Sequence, residues 1–140
     1  MSMTRTVILD NEAVQALARV EHSKHRRALA IVEAVASRNL LRSGSVQLVV
    51  PSAVRAEAGW DRTRPDAAML NRLRIADRGL DGNAANRAAS LCSALGVSVA
   101  DAHIGCVLAE ADASAIVTSD PGDMKRVADH LQLAPTIVSL

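Results

Sequence analysis

Short, fully apolar runs alternate with longer stretches of helical periodicity along this chain. Thr6-Val7-Ile8-Leu9 is one such run, ending on an acid, and predicts a buried strand. A helix is expected from about Glu12 to Arg19. A second, over about Ser23 to Ser37, carries Ala28, Leu29, Val32, Val35 and Ala36 at helical spacing, which predicts that this face turns inward. Val46 to Val50 is the next strand; Pro51-Ser52 ends it and starts a helix through Glu57. Arg64-Pro65-Asp66 opens a helix to about Leu73, and Ile75 to Leu80 reads as a weak strand. Asp81-Gly82-Asn83 turns into a helix to Leu95, which Gly96 closes. Ser98 caps a helix through Ala111, Ala115 to Thr118 is a strand, Pro121 begins a helix to His130, and Thr136 to Val138 is the last strand.

Strands separated by helices predict an α/β fold with a mostly parallel sheet. The strands are unbroken apolar runs rather than alternating ones, as expected where both faces of a sheet are covered. The 140 residues contain no repeat, low-complexity tract or linker, so a single domain over 1–140 is expected.

Composition narrows the function classes. Apolar residues make up 49% and charged residues 22%, a globular balance. No apolar run approaches the ~18 residues of a membrane span. Met1 to Thr6 lacks the apolar core of a secretory leader, so a cytoplasmic protein without a membrane anchor is expected. Cys92 and Cys106 lie in apolar helical stretches without zinc-ligand spacing and read as buried thiols. The net charge of +1 gives no global attraction for nucleic acid. Arg55, Arg62, Arg64, Arg72, Arg74, Arg78 and Arg87 do crowd one stretch, but five acids share it. A solvated mixed-charge face and a phosphate-contacting face both remain open there. Trp60 is the sole aromatic residue, which excludes an RNA reader that stacks bases on aromatic platforms.

Four carboxylates stand out. Asp10 directly follows the first strand and Asp120 the fourth, and ligand sites of open parallel sheets form beyond the carboxyl ends of strands. Helix capping is the alternative for both; Asp120-Pro121-Gly122-Asp123 has the order of a capped helix start. Glu57 lies three residues after Val54, on the apolar side of its helix. Asp101 lies three before Ile104 and seven before Leu108. A capping box with Ser98 is the alternative for Asp101. Two inward carboxylates require a partner, a metal or a raised pKa, and no Lys or Arg occupies a matching inward position. Oxygen donors without cysteine favour Mg²⁺ or Mn²⁺, and acids from four separate elements can surround an ion as one helix cannot. Such a site can hold two metals for phosphodiester hydrolysis.

Val7-Ile8-Leu9-Asp10, Pro51-Ser52-Ala53-Val54-Arg55-Ala56-Glu57, Val99-Ala100-Asp101-Ala102-His103-Ile104 and Ile116-Val117-Thr118-Ser119-Asp120-Pro121-Gly122-Asp123-Met124 together resemble the PIN domain. The set is most similar to the short VapC-type toxins of bacterial toxin–antitoxin pairs and spans nearly the whole chain in the right order. The resemblance implies a three-layer α/β/α fold with about five parallel strands. It implies an Mg²⁺- or Mn²⁺-dependent endoribonuclease with Asp10, Glu57, Asp101 and Asp120 as the acidic quartet and Asp123 as an accessory acid. Thr118 and Ser119 stand where a polar residue supports the site. A homodimer and a small antitoxin near the first helices are also implied.

The chain departs from that pattern two residues after Asp10, where a small hydroxyl or amide residue is usual and Glu12 stands; Glu12 is expected to turn outward. His103 is expected on another face from Asp101 and receives no role, and His22 and His25 read as a solvated helix start. Gly105 is expected to serve close helix packing. A phosphatase of the haloacid-dehalogenase type needs an Asp where Glu12 stands and a later loop lysine, whereas Lys125 falls inside a helix. A phosphate-receiver domain fits less well. A PIN-fold module that binds RNA or protein without efficient cleavage is the alternative to the nuclease.

Overall fold

The computed structural model describes residues 5–41 and 45–140; the reading of Met1 to Thr4 as free of a leader lies outside them. The first strand, β1 (Arg5–Leu9), leads into α1 (Asn11–Ala18) and α2 (His25–Leu41). Strand β2 (Val46–Pro51) runs directly into α3 (Ser52–Glu57). A 3₁₀ turn (Pro65–Ala67) and α4 (Ala68–Asn71) precede β3 (Ile75–Arg78), and α5 (Gly82–Leu95) and α6 (Val99–Ala111) follow it. Then come β4 (Ala115–Thr118), α7 (Pro121–His130) and β5 (Thr136–Ser139).

All five strands are parallel, in the order β3-β2-β1-β4-β5, and the helices complete an α/β/α arrangement. The chain steps from β1 outward to β2 and β3, then crosses to the other side of β1 for β4 and β5. The strand order therefore reverses between β1 and β4, and an open parallel sheet leaves a crevice at such a point beyond its strand ends. Ile8, Val49, Val50 and Ile116 have no exposed surface, which explains the unbroken apolar runs. Val14, Leu17, Val54, Ile104, Leu108 and Met124 close over the sheet from the helices. Among the described residues, no single helix is long and apolar enough to cross a membrane.

Two expected elements differ. The helix over Arg64 to Leu73 is broken into the 3₁₀ turn and the four-residue α4. Only Ala67 and Leu70 of these two pieces are buried, too narrow a face to hold a longer helix, and Arg74 beyond them takes a left-handed φ of 55°. Helix α2 runs beyond Ser37, and its apolar face is only partly covered. Ala28 and Val32 are buried, but Leu29 and Val35 are half-buried and Ala36 is exposed. These last three line a cleft of about 560 Å³ with Val46, Leu48 and Leu73.

Gly96 closes α5 with a φ of 68°, a conformation glycine takes without steric cost. Gly105 works through space rather than conformation: a Cβ there would lie 2.8 Å from both Leu91 Cδ1 and Val127 Cγ1. Leu91 and Val127 are themselves buried, so α5, α6 and α7 meet at this glycine. Ala is favoured over Gly in a helix by about 1 kcal/mol, whereas overpacking costs about 1–3 kcal/mol. Gly105→Ala is accordingly expected to lower stability by about 1 kcal/mol in urea unfolding, the reverse of the usual sign; a stabilised variant would mean that these helices separate easily.

Candidate active site

The five acids singled out in the sequence gather at the carboxyl edge of the sheet, but each is held differently. Asp10 follows β1 at the reversal of strand order and is 8% exposed. It caps α1: the Ala13 N–H donates to its Oδ1 at 2.8 Å. Its Oδ2 accepts from the Ser119 N–H at 3.2 Å, across the crevice. Capping and a site position thus coincide in one side chain. Burial lifts the Asp10 pKa above its ordinary value, although the Ala13 and Ser119 amides and the Thr118 hydroxyl favour its ionised form.

Asp120 is exposed and caps α7, its Oδ1 accepting from the Asp123 N–H at 3.3 Å. The Asp120 N–H donates to Thr118 Oγ1 at 2.9 Å, so Thr118 touches both Asp120 and Asp10. Asp123 is half-buried in the first turn of α7, with Oδ1 3.4 Å from Arg126 Nη1. Arg126 is anchored in turn, donating from Nη2 to the Leu95 carbonyl at 2.9 Å.

The expectation that Glu57 faces the core is corrected: Glu57 is exposed, while Val54 of the same helix is fully buried. Helix α3 ends at Glu57, so the side chain passes the rim of the core rather than entering it. Asn11 Nδ2 donates to its Oε1 at 2.9 Å, and Asn11 Oδ1 accepts from Gln15 Nε2 at 3.0 Å. An amide therefore does support the acids, one residue after Asp10 rather than two. Glu12 turns to His22, with 2.8 Å between Oε1 and Nε2. His25 is likewise engaged, Nδ1 meeting the Ala16 carbonyl at 2.8 Å, so the two histidines pin the α1–α2 turn instead of standing free in solvent.

Asp101 is the exception. Half of the capping box forms, with the Asp101 N–H donating to Ser98 Oγ at 3.1 Å. Among the described residues, nothing donates to its half-buried carboxylate. Its pKa is raised, first by burial and then by repulsion from Asp123, Asp120, Glu57 and Asp10 in decreasing order. The amino end of α6 favours a charge at this position by about 0.3–1 kcal/mol, yet burial and the four carboxylates outweigh it. Five acids from four elements thus share one field, with no cation among the charges that act most on the central one.

That donor set fits a hard divalent cation by charge and by atom type. The carboxylates nevertheless stand apart: among the described residues, no three His, Cys, Asp or Glu side chains are arranged to hold an ion. Asp10, Asp120 and Glu57 each accept an N–H donor of their own.

The basic stretch is partly consumed internally. Asp77 lies between Arg55 and Arg62, with Nε atoms at 2.8 and 3.1 Å, and Arg62 lies 4.1 Å over the Trp60 ring. The Arg55 contact is close but poorly aimed, since its buried Nε–H makes no hydrogen bond; it is an ion pair by distance only. Arg72, Arg74 and Arg87 remain exposed.

His103 was missed because a two-residue offset from Asp101 carries no functional signal. It has no exposed surface; its Nδ1 accepts from the Ala53 N–H at 3.2 Å, and its Nε2 meets the Gly79 carbonyl at 3.2 Å.

No family model and no curated protein matches this sequence. Solved structures do match its backbone. Structures of VapBC2 from Rickettsia felis, bound to a DNA fragment from their promoter, match with a TM-score of 0.65 at 13% identity, covering 96% of this chain and 98% of that one. VapC20 of Mycobacterium tuberculosis, described as a Sarcin-Ricin loop cleaving toxin, gives 0.57 at 11% identity over 79% and 86% of the two chains. FitAcB from Neisseria gonorrhoeae gives 0.55 at 17% over 95% and 96%. The chain has the PIN-domain fold. In this PIN fold the reversal between β1 and β4 carries Asp10 and Asp120, while α3 and α6 bring Glu57 and Asp101 to the same edge.

Because folding raises the Asp101 pKa above 3.8, the folded chain binds that proton more tightly than the unfolded chain does. Ionisation of Asp101 therefore costs stability as pH rises through the folded value, and no such cost exists well below 3.8. Without metal at pH 7.5, Asp101→Asn should melt a few degrees above the parent, roughly 2–4 °C, and the gap should close toward pH 4. Equal melting at both pH values would mean that the repulsion is absent.

Proposed function

We propose that the chain is a metal-dependent endoribonuclease of the VapC kind, the toxin of a VapBC-type pair. Asp101 carries the proposal. A half-buried carboxylate with no donor among the described residues, facing four more acids, is costly unless a cation joins it. The likeness to a Sarcin-Ricin loop cleaving toxin supports RNA as the substrate class.

Asp10, Asp101 and Asp120 would hold Mg²⁺ or Mn²⁺, with Glu57 and Asp123 at the margin of the same field. A bound divalent cation supplies a nucleophilic water at neutral pH and takes up charge on a phosphate. The remaining work belongs to the side chains. Asp10 is pre-positioned by the Ala13 and Ser119 amides, so placing it costs little on binding. Thr118 orients both Asp10 and the backbone at Asp120. Glu57, steadied by Asn11, would accept a proton or orient the attacking water. Cleavage would add water across one P–O bond of the RNA backbone and release one strand end as an alcohol.

The phosphatase reading lacks its residues: Glu12 is bound to His22, and Lys125 pairs with Asp129 at 2.7 Å on the exposed side of α7. A module that binds RNA or protein without efficient cleavage is the second reading, favoured by the separation of the carboxylates. A small antitoxin as inhibitor, a homodimer and action in the cytoplasm belong to the main proposal.

Cleavage of a panel of structured RNAs by the purified protein, with Mg²⁺, with Mn²⁺ and with chelator, tests it. Asp10→Asn keeps a capping oxygen for Ala13 but removes the charge, and should reduce cleavage by about a hundredfold or more, near 2.7 kcal/mol. Parental cutting by the variant would sink the assignment, and metal binding without cutting would favour the second reading. Co-expression with a small neighbouring gene should abolish cutting; unchanged activity would remove the toxin–antitoxin part alone.

A further inference from the structure

We propose that His103 is a positioning residue: its buried imidazole joins the first turn of α3 to α6 and to the loop after β3, fixing Glu57 relative to Asp101. The inference rests on the metal-site reading given above for what those acids do.

Helix α3 needs such a partner. It has only six residues, and its cap position is Pro51, whose side chain makes no capping hydrogen bond. The first N–H groups of any helix lack intrahelical acceptors, and a helix this short is not stable alone. His103 supplies the missing acceptor from outside, Nδ1 receiving the Ala53 N–H at 3.2 Å. Ala53 lies about one turn before Glu57 on the same helix. With Nδ1 accepting, the ring proton sits on Nε2, where it can donate to the Gly79 carbonyl at 3.2 Å. Gly79 directly follows β3 and His103 lies two residues after Asp101 on α6. One ring thus bridges the helix that ends in Glu57, the helix that carries Asp101 and the end of the edge strand.

Direct packing of α3 on α6 would bring the helices together but would allow α3 to slide or rotate. The bond at Ala53 limits that freedom, because a sliding helix would leave this partly buried N–H without its acceptor. The bond to Gly79 holds the ring itself in one orientation, as a second partner does for a ligating histidine. His103 touches none of the five acids in this arrangement and is not a catalytic residue; its effect reaches the site through the position of Glu57.

The test compares His103→Leu, which removes both bonds, with His103→Asn, whose side-chain oxygen takes the place of Nδ1 and can still accept from Ala53. Four readouts on the full chain are needed: melting temperature, Mn²⁺ affinity by titration, hydrogen exchange at the Ala53 amide, and the ring tautomer of the parent by nitrogen NMR. The parent should show the Nε2–H tautomer and a protected Ala53 amide. Both variants should melt below the parent. Only His103→Leu should lose Ala53 protection and weaken Mn²⁺ binding by about tenfold or more, while His103→Asn stays within about threefold. A purely structural histidine would make metal affinity follow melting temperature in both variants, and that outcome overturns the proposal. So do an Nδ1–H tautomer or unchanged Ala53 exchange in His103→Leu. If His103→Leu does not fold, the parental tautomer and exchange, with His103→Asn, decide the same question. If the parent neither binds Mn²⁺ nor cuts RNA, the metal-site reading fails separately, while tautomer and exchange still test the bridge.

Discussion

Mutual repulsion among carboxylates is the constraint around which this fold is arranged. Asp101 sits half-buried under the fields of Asp123, Asp120, Glu57 and Asp10, and folding holds all five at one edge of the sheet. Nothing in ordinary packing rewards that. The core would be as well sealed by neutral residues, and a buried charge without partners is among the costlier features a protein can carry. The remaining acids relieve part of the strain through local donors: Asp10 takes the Ala13 and Ser119 amides, Asp120 takes the Asp123 amide and Glu57 takes Asn11. Among the described residues Asp101 has none, and a divalent cation would relieve that repulsion.

The topology makes this juxtaposition possible. Because strand order reverses between β1 and β4, the chain leaves adjacent strands in different directions and opens a crevice beyond them. Asp10 and Asp120 are therefore both helix caps and crevice walls. The Ser119 amide ties one wall to the other. Helices α3 and α6 approach from the side, and His103 spans them at their only shared buried imidazole among the described residues.

Much of this was legible in the residue pattern. The parallel α/β fold followed from apolar runs separated by helical periodicity, and α3 has the boundaries that Pro51-Ser52 and Glu57 suggest. The burial of Asp101 could be read from its spacing to Ile104 and Leu108. Glu57 could not be placed in this way, since helical spacing gives direction around an axis but not where the core stops along it. The helix over Arg64 to Leu73 failed for a related reason: a plausible local pattern lacked a surface to pack against, and the stretch buries only Ala67 and Leu70 before Arg74 turns. His103 was illegible because its partners are backbone groups 50 and 24 residues away. Asn11 was passed over because the supporting amide was sought one residue later.

Whether the carboxylates around Asp101 form a cation site is decided by a crystal structure of the full chain grown with saturating Mn²⁺. An anomalous peak is expected within about 2–2.3 Å of oxygens from Asp10 and Asp101, with Asp120 drawn toward it. A fully occupied Mn²⁺ elsewhere, with this crevice holding only water and Asp101 unchanged, would contradict it.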